Sequence, residues 1–158
     1  MIVKFHPNMA NMFAGLGILN AGYNAACAIS VYSGVQPSQA DIVANWASYN
    51  STNSNFLAHY TGVVWSQPLN GEAKFINVTT FPASVLPKNT GVAAWAIAWP
   101  SNVTDAQVAL ATIPNNKFIV GSVTDMASSG MIRFNPDTTL TVGESKIFAD
   151  AIISVNII

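Results

Sequence analysis

Charge is what this chain has least of. Only 8% of its 158 residues are Asp, Glu, Lys or Arg, against about a quarter in an ordinary soluble domain. The six Lys and Arg residues are scattered, so they build no basic stripe of the kind that neutralises phosphates, and nucleic acid is not expected as a ligand. Cysteine is nearly absent too. Cys27 stands alone, which excludes an intrachain disulfide and any zinc site made of several cysteines. Histidine is limited to His6 and His59. No HExxH, P-loop, Gly-rich dinucleotide, GxSxG or EF-hand pattern occurs, so none of the chemistries those spacings serve is indicated. No catalytic residue, cofactor or metal is expected.

Neutral polarity takes the place of charge. Asn, Ser, Thr and Gln are abundant, the apolar share is 51%, and the formal net charge is -1. A monomer stays dispersed largely through charge of one sign. A surface this neutral is therefore expected to be covered by partners, copies of itself included. The length fits one domain, residues 1–158, large enough to bury a core without a staple.

From Phe5 to Ala40 no charged residue occurs. Asn8, Asn11, Asn20 and Asn24 nevertheless interrupt the apolar run, and Gly15, Gly17 and Gly22 weaken a helix, so neither a membrane span nor a signal peptide is expected. Ala25-Ala26-Cys27 has the form of a lipoprotein cleavage site, but Asn24 sits where a Leu-like residue is needed. The spacing of Met9, Met12, Phe13, Leu16 and Leu19 predicts a short amphipathic helix over 8–19, opened by Pro7 and ended near Gly22. It forms an N-terminal helical arm, 1–27, ahead of a sandwich body, 28–158. Met9, Met12, Phe13 and Leu16 are candidate subunit contacts.

The stretch 29–41, Ile-Ser-Val-Tyr-Ser-Gly-Val-Gln-Pro-Ser-Gln-Ala-Asp, organises the rest of the chain. A β-favouring run ends at the turn dipeptide Ser33-Gly34, and Pro37 forbids simple continuation. Ser38 with Asp41 three residues on has the form of a capping box, succeeded by Ile42, Val43, Trp46 and Tyr49 at helical spacing. Trp46 and Tyr49 complete the candidate subunit contacts.

Downstream, 56–65 and 72–80 flank a turn at Asn70-Gly71 and predict a hairpin, with Gly62 a bulge or corner. The apolar run 92–99 ahead of Pro100 predicts a buried central strand. Short strands are expected at 117–123, 131–135 and 138–142, separated by Ser128-Ser129-Gly130 and Asn135-Pro136-Asp137 turns. In the last segment Ile147, Ala149, Ala151, Ile153, Val155 and Ile157 alternate with polar residues and predict one strand with its apolar set facing the core. Many short strands with frequent turns predict an all-β fold, an antiparallel β-sandwich of jelly-roll or Ig-like type.

Each reactive side chain has a structural reading. Cys27 and His59 are the one imaginable nucleophile and base, but a buried thiol and a sheet histidine account for them. The acids Asp41, Glu72, Asp105, Asp125, Asp137, Glu144 and Asp150 are isolated and mostly adjoin turns, where carboxylates cap N–H groups. Trp46, Trp65, Trp95 and Trp99 could stack sugars, yet three of them sit in apolar strands, which favours core packing. The sequons at Asn50, Asn77 and Asn102 are expected by chance in a chain this rich in Asn, Ser and Thr.

The Tyr32-x-Gly34-x-Gln36-Pro37-x-x-Ala40-Asp41 corner resembles that of a group of small tailed-bacteriophage virion proteins, in which a YxGxQPxxAD corner comes after the first strand. The Gly-Val-Ala-Ala-Trp-Ala-Ile run from Gly91, the segment Val120-Gly-Ser-Val-Thr-Asp125 and the alternating strand from Ser145 occur in the same order. The resemblance implies a non-enzymatic structural protein located in the virion, with a β-sandwich or jelly-roll-like body. Its expected partners are copies of itself and other virion proteins, the major capsid protein or tail subunits. Its expected role is capsid decoration, a cement protein on the head shell. Trp46 and Tyr49 depart from the family pattern, which has small residues there. A tail or baseplate subunit and a carbohydrate- or receptor-binding adhesin module are the alternatives.

Overall fold

A computed structural model describes residues 4–5, 26–65, 75–80, 82, 84–99, 104 and 118–154. The described chain is mostly strand: β1 (Lys4–Phe5), β2 (Cys27–Ser33), β3 (Phe56–Trp65), β4 (Phe75–Thr80), β5 (Gly91–Trp99), β6 (Ile119–Asp125), β7 (Ile132–Phe134), β8 (Thr139–Leu140) and β9 (Asp150–Ser154). The short helix α1 (Gln39–Asn45) and a 3-10 turn (Trp46–Ser48) lie between β2 and β3. The all-β expectation holds.

The arrangement is one mixed, curled sheet in the order β1-β6-β7-β9-β4-β3-β2-β5-β8, with β6 also paired to β5. The path of pairings therefore returns on itself and the sheet curls into a half-barrel. Not every pairing is antiparallel. β7 runs parallel to β6 (Val123↔Ile132, Asp125↔Phe134) because the chain doubles back through 126–131.

β2 and β5 form the middle. They pair over nearly their whole lengths, Ala28↔Trp99 to Ser33↔Ala93, while β3 flanks β2 on its other side. Alternation along these strands sends side chains to opposite faces, and both faces are buried. Cys27, Ile29, Val31, Ala96, Ala98 and Ile119 join one apolar cluster. Ala28, Tyr32, Trp95, Ile97, Trp99 and Phe118 join the other. This two-sided burial accounts for the apolar run over 95–99, whereas Val92, expected inside the buried strand, is exposed where β5 meets only the short β8.

The strands of the expected hairpin do pair, while its Asn70-Gly71 turn lies outside the described residues. β3 and β4 are antiparallel but meet only at Val64↔Thr80 and Trp65↔Val78. Gly62 is the bulge: pairing to β2 skips from Thr61 to Val63, and its φ of +77° suits glycine. Two expectations need correction. The alternating terminal strand begins only at Asp150. Ahead of it, Phe148 is buried while Ile147 and Ala149 are exposed, so the apolar set expected to point inward does so at Ala151 but not at 147 or 149. The Lys146–Val85 bridge is isolated and does not lead into regular pairing, so the period of two does not carry past it. The 1–27 arm also contains strand: Lys4 and Phe5 pair with Val120 and Ile119. The helix expected over 8–19 lies outside the described residues.

Candidate functional site

The 29–41 corner is built by local bonds. β2 ends where Ser33 N–H donates to Asn55 O at 2.8 Å, and Gly34 turns the chain with φ +76°, a conformation that costs glycine little. Asp41 N–H donates to Ser38 Oγ at 3.2 Å, and the Ser38 hydroxyl bonds the Asp41 carboxylate. The N-cap half of the expected capping box is therefore present, while the Asp41 carboxylate meets the Ser38 hydroxyl rather than its backbone N–H, and α1 starts one residue after Ser38. Ile42 on α1 is buried among Tyr32, Tyr49 and Trp95. Val35, at the tip, is 90% exposed.

Of the six candidate contact residues, Met9, Met12, Phe13 and Leu16 lie outside the described residues. Trp46 opens the 3-10 turn; its side chain lies outside them as well. Tyr49 is 7% exposed. Its ring meets Tyr32 and Trp95 edge-on, with centroids 5.9 and 5.7 Å away, and its carbonyl accepts the Tyr32 hydroxyl at 2.7 Å. That ring belongs to the chain's own core, because α1 and the turn after it fold it back over β2 and β5.

The structure brings together a polar trio that the sequence does not announce. Ser30 and His59 are cross-strand neighbours, with Ser30 Oγ 2.8 Å from His59 Nδ1. Trp99 Nε1–H donates to the same Oγ at 2.9 Å. The hydroxyl has one hydrogen and two lone pairs, so it accepts from the indole and bonds Nδ1 as donor or acceptor according to the imidazole tautomer. A serine beside a histidine has the parts of a nucleophile and base. Here, however, Ser30 has no exposed surface, so its Oγ satisfies the buried indole rather than meeting a substrate. The spacings of 29 and 69 residues explain why no local pattern reveals it.

Cys27 is not part of this group. It faces the opposite cluster from Tyr32 and Trp99 and lies across from Val63, not His59. Burial pushes its thiol up to about 12, so it stays protonated at neutral pH and is a poor nucleophile.

Three further described carboxylates serve structure. Asp125 Oδ1 accepts from Ala127 N–H at 3.0 Å, Asp137 Oδ1 from Thr139 N–H at 2.8 Å, and Asp150 pairs with Arg133. Among the described residues no three His, Cys, Asp or Glu side chains gather as a metal site. Trp95 and Trp99 are fully buried, and Trp95 stacks on Tyr32 at 4.2 Å, so neither offers a ring to a sugar.

The described surface is largely polar and carries a few exposed large apolar side chains. Val35, Leu86, Val92, Met126, Val142 and Ile147 are exposed. Val92 and Val142 lie near each other, since Val142 N–H donates to Thr90 Oγ1 at 3.0 Å, two residues before Val92. No helix among the described residues is long and apolar enough to cross a membrane. Compared with known proteins, the chain matches no family model, no curated protein and no solved structure.

Proposed function

We propose that this chain is a non-enzymatic structural protein of a bacteriophage virion, a capsid decoration or cement subunit that self-associates and binds the head shell. In this reading the curled sheet is the body of a flattened sandwich of jelly-roll or Ig-like type, and the YxGxQPxxAD corner is its family mark.

The observation that carries the proposal is the pairing of exposed apolar side chains with scarce charge. Val35, Leu86, Val92 and Val142 are exposed on a chain with 8% charged residues. Single exposed apolar residues are ordinary. With so few charges on the whole chain, a dispersed monomer has little to hold it apart. Meanwhile, among the described residues, Ser30, Cys27, Asp125, Asp137 and Asp150 are taken up by the fold. Burying a valine on a partner contributes roughly 1.5–3 kcal/mol, and an uncharged surface keeps the desolvation cost of docking low.

Sedimentation of the purified chain over a range of concentrations, alone and with phage head shells, tests the proposal. The expected result is concentration-dependent association and co-sedimentation with shells, with Val35→Asp weakening one or both at least tenfold. A chain that stays monomeric at high concentration and leaves shells bare overturns it. Binding to isolated tails instead would assign it to the tail or baseplate, and binding to glycans would make it an adhesin module.

A further inference from the structure

We infer that Asp137 and Lys146 form a plug on the outer edge of β8 that blocks the addition of another strand there. β8 pairs with β5 through Gly91↔Leu140 and Val92↔Thr139, and Ala93 N–H donates to Thr138 O at 2.8 Å. Ala93 and Thr138 are thus a hydrogen-bonded pair. In an antiparallel ladder bonded and non-bonded pairs alternate, so the N–H and C=O of Thr139 point away from β5. An outward N–H and C=O on an edge strand are the template on which a further strand pairs.

Both groups are already taken. Asp137 Oδ1 accepts the Thr139 N–H at 2.8 Å, and Lys146 Nζ donates to Thr139 O at 2.7 Å. The same ammonium donates to Asp137 O at 2.9 Å and to Asp137 Oδ1 at 3.0 Å, which uses all three of its hydrogens. Lys146 is itself held in place, because its backbone exchanges two hydrogen bonds with Val85 and its Nζ lies 5.7 Å from the centroid of the Phe134 ring. Further along the chain, Val142 N–H is occupied by Thr90 Oγ1. The cation and the carboxylate imitate, on one residue, the two bonds that an incoming strand would make. The inference is independent of the virion reading. It means that the folded chain does not take on a further strand along β8.

The test compares the wild-type chain with Asp137→Ala/Lys146→Met by sedimentation velocity at matched concentrations, and tracks the Thr139 amide by hydrogen exchange. The double variant is expected to gain an associated species at least tenfold more populated than in the wild type. Adding Thr139→Pro, which removes the outward N–H, should abolish that species. A folded double variant that sediments like the wild type, or association that survives Thr139→Pro, overturns the inference. Should the double variant fail to fold, Asp137→Ala alone, which removes the oxygen that accepts the Thr139 N–H, decides the matter: Thr139 amide exchange at least tenfold faster than in the wild type supports the plug, and unchanged exchange overturns it.

Discussion

The indole N–H of Trp99 donates to the hydroxyl of Ser30 at 2.9 Å across the β2–β5 pairing, with neither residue exposed. Ser30→Ala removes the acceptor and leaves a buried donor unmatched, a loss of about 1–3 kcal/mol. Denaturant unfolding should show a lower midpoint with an unchanged slope. A midpoint equal to the wild type would mean that the indole has another acceptor.

Cys27 should be inert until the chain unfolds. With its thiol pushed up to about 12 by burial, almost none is thiolate at pH 8, and the side chain is sealed in the core. A disulfide-exchange reagent should label less than a tenth of the native protein in the time that labels all of it in guanidinium. Rapid native labelling would place the thiol at the surface.

The 29–41 corner was legible because its signals are local: Gly34 with positive φ, Ser38 and Asp41 one helical turn apart. The central strand β5 was legible as well, since burial on both faces leaves an uninterrupted apolar run over 95–99. Long-range geometry was not. The parallel β6–β7 pairing depends on how 126–131 folds back, and no residue pattern in that loop encodes direction. Phe148 enters the core from an irregular segment, where the period of two has no force. The Ser30, His59 and Trp99 trio needs the register of three strands before it exists at all.

Gln36 marks a polar residue kept at some cost. Its Nε2 is buried with no acceptor among the described residues. Gln36→Met keeps the length and removes the orphan donor, so stability should rise by about 1 kcal/mol. Thermal unfolding reads the change. A destabilised variant would show that the amide has a partner.

Asp137 should make stability depend on acid. The Thr139 N–H and then Lys146 hold its carboxyl below the usual carboxylate range. A carboxylate with a lowered folded-state value stabilises above its unfolded value, and that contribution is lost as pH falls through the lowered one. The stability gap between wild type and Asp137→Asn should therefore be present at neutral pH and close at acid pH. A gap that is constant across the range contradicts the assignment.

Imaging phage particles from cells that produce this chain is the most direct test of the proposed building-block role. Cryo-electron microscopy should resolve repeated copies on the head lattice, with Val35 and its corner against a neighbouring protein. Particles that carry no copy of the chain, while it persists as a free single subunit, would contradict the account.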